Sequence, residues 1–128
     1  MNIVLWILQI LLGLYFLAVG VMHFIVPPGL PATMSWMYDL PSWLHWISGT
    51  AEILGGLGLI LPGLFKIQTR LTPLAALGLA LVMVGATIYH LTRGEVQNIA
   101  LNLILVALLV FIYYGRTHLR TLTDRNAQ

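Results

Sequence analysis

The sequence predicts an all-α protein, a bundle of four transmembrane helices. Hydrophobic residues make up 59% of the 128 residues and charged residues only 8%, far from the balance of a soluble domain. Four apolar segments are each close to the roughly 20 residues that cross a bilayer as a helix, and they lie at about residues 3–26, 44–61, 71–91 and 96–114. We expect one integral membrane domain, residues 1–128, with an up-down-up-down arrangement.

The first segment, Ile3 to Val26, is long enough to span a membrane, and no Lys or Arg precedes it. Because it also lacks a small-x-small cleavage site, we expect it to stay as the first helix. The proline-rich stretch from Pro27 to Pro31 then interrupts the helical pattern. Since Trp36 and Trp43 follow it, this connection is predicted to be a partly helical loop at the membrane surface.

The first and third segments share a weak repeat of glycine positions. Glycines lie seven residues apart at Gly13 and Gly20, and again at Gly78 and Gly85. Seven residues return to nearly the same face of a helix, so each pair predicts a surface where a neighbouring backbone can approach closely.

The second segment carries Glu52 near its centre, in a chain with only four acidic residues. An ionisable group at that depth is costly, must face protein or trapped water, and usually has a function. We predict that Glu52, His23 and His90 form an outward-facing polar pocket and are its candidate catalytic residues. Asn102 and Tyr89 are the candidate ligand-binding residues on its wall.

Other interpretations of these residues stay open. Glu52 could bridge helices through a hydrogen bond to Asn102 or Tyr89, and His23 and His90 could each be ordinary interfacial residues. The sequence also leaves open whether Glu52 is a protonated acid or an anion paired with a histidine. We place three further residues outside the site: His45 as an interfacial residue, Asn98 as a helix cap, and His118 in the tail.

Several kinds of site are disfavoured. The chain has no cysteine, which excludes disulfides and thiolate ligands. His23, His90 and Glu52 come from three helices without a local spacing signature, so we expect neither a metal ion nor a haem. The six basic residues form no stripe with interleaved aromatic residues, which argues against nucleic acid as a partner.

Three stretches resemble the DoxX and DoxX-like membrane proteins: Gly20 to Pro27, Ser48 to Leu59, and Leu71 to His90. The resemblance covers about residues 3–116. It implies a four-helix protein of the bacterial inner membrane, in a family named after a subunit associated with thiosulfate:quinone oxidoreduction and with some members linked to oxidative-stress complexes. Glu52 matches the family pattern by position, whereas His23 stands where many relatives carry lysine.

The leading functional hypothesis is a membrane protein that holds a lipophilic small molecule, such as a quinone, and supports a redox or stress-related protein partner. The alternatives are an intramembrane acid-base enzyme acting on a lipophilic substrate, a small proton-coupled exporter, and a structural or chaperone protein. Whether the protein is an enzyme is left open, and the sequence is compatible with a homo-oligomer in the bilayer.

The orientation of the bundle is a testable prediction. With four spans, the termini and the second connection share one side, and that side holds five of the six basic residues: Lys66, Arg70, Arg116, Arg120 and Arg125. Because basic residues are retained in the cytoplasm, both termini should be cytoplasmic. A C-terminal reporter that is active only in the cytoplasm should give signal, and one active only after export should not. The reverse result would contradict the prediction.

Overall fold

The computed structural model describes residues 1–127, and over this part of the chain it contains helices and no strand. The prediction of an all-α fold with four apolar spanning helices is confirmed. The α-helices are α1 (Asn2–Ile25), α2 (Trp36–Asp39), α3 (Ser42–Phe65), α4 (Leu71–Arg93) and α5 (Val96–Tyr114). A 3-10 turn, Ala32–Met34, precedes the short α2, and a π turn, Gly115–Leu119, extends α5.

The long helices pack in sequence around a common core, with α1 against α3, α3 against α4, and α4 against α5. The core consists of apolar side chains from all four, including Phe16, Leu59, Leu79 and Leu109. Large apolar side chains also cover the outside of the bundle. In water this surface would be unfavourable, so it identifies the faces that contact lipid.

The helix α3 continues through Pro62, although proline has no N–H for the carbonyl four residues earlier. That carbonyl belongs to Gly58, and it accepts a hydrogen bond of 2.9 Å from the Thr72 hydroxyl on α4. An unpaired carbonyl is costly in a membrane interior. The side chain of Thr72 therefore replaces the missing backbone donor and lets the helix extend to Phe65.

Glycines bring the backbones of α1 and α3 close together. A Cβ atom at Gly56 would lie 2.7 Å from the Gly13 carbonyl oxygen, and one at Gly20 would lie 3.0 Å from that of Gly49. The predicted close approach is thus confirmed for the pair in the first helix. It is wrong for Gly78 and Gly85, where an added Cβ would meet no described atom within 4 Å, because α4 turns its other face to the core.

These two glycine environments give a matched test. Gly56→Ala should destabilise the protein by about 1–3 kcal/mol, because the added methyl group has backbone on the other side of the interface. Gly78→Ala places the same methyl group in open space and should stabilise the helix by up to about 1 kcal/mol. Melting temperatures in detergent compare the two variants. Equal shifts in both would contradict the tight α1 and α3 interface.

Candidate functional site

The bundle contains a cavity of about 470 Å³ in the half opposite the chain termini. Most of its wall is apolar, and residues from α1 to α5 contribute to it. The polar or amphipathic side chains that line it are Tyr15, His23, Trp36, Ser48, Glu52, Tyr89, His90, Thr92 and Asn102. The cavity thus brings together His23, Glu52, Tyr89, His90 and Asn102, which are all the candidate residues of the sequence analysis.

The cavity reaches the lipid-facing surface between α3 and α4. Ile47 on α3 and Ile88 on α4 both line it, yet they are 60% and 58% exposed on the outside of the bundle. Gly85 also lies on this wall and has no side chain to close it. An apolar molecule in the bilayer can therefore enter the cavity laterally, from the lipid-facing surface.

His23 and Glu52 form the deepest polar contact of the site. Nε2 of His23 lies 2.9 Å from Oε2 of Glu52, and the two side chains are only 4% and 3% exposed. The glycine contacts between α1 and α3 make this distance possible: a Cβ at Gly49 would lie 3.0 Å from the His23 Cβ atom. A larger residue there would push the histidine away from the carboxyl group.

The close approach of His23 to Glu52 is not a well-aligned hydrogen bond. Oε2 of Glu52 is near Nε2 by distance, but it has no hydrogen-bond partner of good geometry among the described residues. The two groups interact electrostatically, because attraction depends mainly on their separation, but a hydrogen bond also needs alignment, which this contact lacks. The oxygen keeps capacity for a further partner.

His45 joins the site, although the sequence analysis placed it at the interface. It is 6% exposed, its Nδ1 lies 2.8 Å from Nδ1 of His23, and its Nε2 lies 2.8 Å from the Met37 carbonyl oxygen. The loop before α3 folds back over the histidine and buries it. One signal was present in the sequence, since His45 and Glu52 are seven residues apart and share a helix face.

These contacts fix the tautomers of both histidines. A carbonyl only accepts, so Nε2 of His45 must donate to Met37. Nδ1 of a neutral His45 is then an acceptor, and Nδ1 of His23 donates to it. With Nδ1 as its donor, a neutral His23 presents Nε2 to Glu52 as an acceptor, 2.9 Å from Oε2.

The short helix α2 covers the cavity. The Trp36 ring lies between two histidines, with centroid distances of 5.9 Å to His23 and 5.1 Å to His90. Its Nε1 is buried and has no hydrogen-bond partner within the described chain. An ion pair of 2.7 Å between Asp39 and Arg93 ties α2 to the end of α4. The aromatic loop predicted for the membrane surface is thus the roof of the site.

Further contacts hold this roof, and one corrects the sequence analysis. Asn98, expected to cap α5, instead donates from Nδ2 to the Thr33 carbonyl oxygen at 2.9 Å. The Tyr38 hydroxyl donates to the Pro27 carbonyl oxygen at 2.7 Å. His118 stacks on Tyr114 after α5, away from the cavity.

His90 contacts a different carboxylate, that of Glu95. Nδ1 of His90 lies 2.9 Å from Oε1 of Glu95, which also accepts from Nε of Arg93 at 2.9 Å. Burial alone raises the pKa of Glu95, but the hydrogen bonds from His90 and Arg93 outweigh it and lower the pKa below its ordinary value of 4.5. The sequence analysis did not include Glu95 among the site residues.

Asn102 and Tyr89 lie on the wall without contacting Glu52 by a hydrogen bond. Asn102 is buried, and its Nδ2 has no partner in residues 1–127. Tyr89 packs its ring edge-on against His90 and lies under the Arg93 guanidinium. The alternative in which either residue bridges helices through Glu52 therefore has no support in the hydrogen bonds of the described chain.

The donor set at the cavity does not resemble a metal centre. In the described residues, no group of three His, Cys, Asp or Glu side chains is placed to hold a metal ion. His23 has its two ring nitrogens directed at His45 and Glu52, and His90 has one directed at Glu95.

Comparison with known proteins agrees with this architecture. The sequence profile of the DoxX-like family matches residues 7–112, which include most of the four long helices and every residue named above for the cavity. The chain belongs to the DoxX-like family. No curated protein and no solved structure matches it. As a DoxX-like protein with four apolar helices it is a multi-pass membrane protein, which confirms the resemblance seen in the sequence.

Acid should weaken the roof of this DoxX-like protein. Because the pKa of Glu95 is lowered in the folded state, its stabilising contribution is complete above its ordinary value of 4.5 and is lost as the pH falls through the lower folded value. Melting temperatures should therefore decline as the pH falls below about 4.5. Glu95→Gln should melt lower at neutral pH and show a smaller decline. An identical decline in both proteins would contradict this role.

Proposed function

We propose that this DoxX-like protein binds a lipophilic small molecule with a polar head group, most suitably a quinone, in the cavity beneath α2. One observation carries the proposal. Three buried polar atoms have no partner in the described chain and belong to residues that line this same cavity: Glu52 Oε2, Asn102 Nδ2 and Trp36 Nε1. Buried polar groups are rarely left without partners unless a ligand or water serves them.

The chemistry of these atoms matches a quinone head group. The amide of Asn102 and the indole of Trp36 are donors, which suit carbonyl oxygens, and the carboxyl group of Glu52 can accept from or donate to a ligand oxygen. Each unsatisfied buried group costs about 1–3 kcal/mol, so a ligand that satisfies all three is favoured. A cavity of about 470 Å³ is within the range for small ligands.

The apolar part of the ligand has a place as well. Between Ile47 and Ile88 the cavity meets the lipid-facing surface, so a long hydrocarbon tail can remain in the bilayer while the head group lies inside. A water-soluble ligand would gain nothing from this opening. The geometry therefore favours a membrane-dissolved molecule over a polar metabolite.

The pairing of the Glu52 carboxyl group with the His23 imidazole suits redox chemistry of such a ligand. Reduction and oxidation of a quinone move protons together with electrons. Glu52 lies on the cavity wall beside His23, and a carboxyl group and an imidazole can each give or take a proton, so this pair can exchange a proton with a ligand oxygen. The chain has no cysteine pair to exchange electrons. We assign that exchange to a redox or stress-related partner protein, in the bacterial inner membrane.

A second function is favoured by the histidine chain itself. His45, oriented by the Met37 carbonyl, orients His23, which contacts Glu52. Successive orientation of this kind is how a general acid or base is held in place in enzymes. The second candidate is therefore acid-base catalysis on a lipophilic substrate. Turnover by the purified protein without a partner, abolished in Glu52→Gln, would favour it over the first.

Asn102 provides the sharpest test of ligand binding. Asn102→Leu should leave the melting temperature unchanged or raised, because Nδ2 makes no hydrogen bond to the described protein. The same change should weaken binding of a short-chain quinone by about three- to tenfold, the value of one hydrogen bond. Affinity is measured by titration into the purified protein, and mass spectrometry identifies lipids and quinones that co-purify from native membranes.

Thr72→Val is the matched control. Its buried hydroxyl donates to Gly58 and is remote from the cavity lining, so this variant should lose stability and keep quinone affinity. The two variants thus have opposite expected effects. Loss of stability with unchanged affinity in Asn102→Leu would make the amide a packing residue and remove the support for a quinone.

A further inference from the structure

A second polar cluster lies at the end of the bundle that holds the chain termini. Arg116, in the π turn after α5, is only 3% exposed. Its guanidinium donates to Gln9 Oε1 at 2.6 Å, to Asn2 Oδ1 at 2.7 Å and to the Arg120 carbonyl oxygen at 2.9 Å. All three acceptors are neutral, so these bonds orient the cation without neutralising it.

The charge of Arg116 is therefore uncompensated within residues 1–127. No carboxylate of the described chain forms an ion pair with it. Its Nη2 is buried and has no hydrogen-bond partner there, although the Trp6 ring lies 5.6 Å from the guanidinium carbon. A buried cation normally has a counter-charge, because leaving it alone costs several kcal/mol. In the described part of the chain, the cluster contains no anionic side chain.

A cavity of about 530 Å³ lies beside this cation. Asn2 and Trp6, which both contact Arg116, form part of its wall. The other polar groups on the wall are the basic residues Lys66 and Arg120 and the hydroxyls of Thr121 and Thr123.

Acidic residues are not on this wall, and the nearest tail carboxylate is engaged elsewhere. Asp124 accepts from the Thr69 hydroxyl at 2.5 Å and from the Thr69 backbone N–H at 2.8 Å, and these bonds hold its pKa below its ordinary value. It stays ionised for that contact. Among residues 1–127, the cavity consequently has basic and hydroxyl side chains on its wall and no competing carboxylate.

We propose that this cavity binds the phosphate of an anionic phospholipid head group. Arginine and lysine are the side chains that bind phosphate oxygens, and basic pockets at the membrane surface bind anionic head groups. Arg116 is the buried cation behind the wall, where it contacts Asn2 and Trp6, and Lys66 and Arg120 are the exposed cations that line the cavity. The membrane supplies the missing counter-charge, and the site is separate from the quinone cavity and independent of it.

The test compares lipid retention. The full-length protein is placed in nanodiscs of phosphatidylcholine and phosphatidylglycerol in equal parts, then released, and the phosphatidylglycerol bound per protein is measured by native mass spectrometry. Lys66→Gln and Arg120→Gln should each lower the affinity for phosphatidylglycerol about fivefold. Arg70→Gln is the matched control, since Arg70 is an exposed basic residue at the same end that does not line the cavity. It should have no effect.

Arg116→Gln should lower retention further, and where this variant does not fold, the two exposed variants decide the result. Equal retention in all variants would overturn the proposal, and so would a loss in Arg70→Gln as large as in the others, since the effect would then be general surface charge. In a separate arm, inorganic phosphate or phosphatidylglycerol is added to the protein in pure phosphatidylcholine, and the melting temperature is measured. A rise with phosphate as large as the rise with phosphatidylglycerol would assign the site to soluble phosphate and overturn the proposal of a lipid.

Discussion

The close approach of α1 and α3 is the constraint on which the candidate site depends. Glycines at positions 20 and 49 remove the side chains that would separate the two helices, and the His23 imidazole then reaches Glu52. A carboxyl group in the interior of a membrane protein needs a polar neighbour, because lipid cannot solvate it. The small residues of α3 therefore decide where a buried acid can exist in this bundle, as well as how tightly two helices pack.

Much of the fold follows from the sequence, since four apolar segments of spanning length leave few alternatives to a helical bundle. The sequence also predicted that Glu52 and His23 belong to one pocket. Segment length could not tell that α3 passes through Pro62, because the compensating donor, Thr72, lies on another helix. It also could not tell which face of α4 turns inward, so Gly78 received a packing role that the structure does not give it.

The site was less predictable than the fold for a related reason. Its roof, α2, is four residues long and has no periodicity that would show where it packs. Trp36 and the Met37 carbonyl enter the site only through the path of the loop, and His45 is buried only because that loop covers it. Glu95 engages His90 across a turn between two helices. Contacts of this kind depend on tertiary geometry, which hydropathy does not encode.

The Met37 carbonyl has a consequence for how the cavity could communicate with the surface. It determines the tautomer of a neutral His45, and through it which nitrogen of His23 faces Glu52 as an acceptor. Thermodynamic linkage is reciprocal, so any change of protonation along this chain must also change the free energy with which α2 is held. The roof is anchored on its outer side by Asp39 and Arg93. A protein docking at that ion pair would thus sense the protonation of an acid that it never touches.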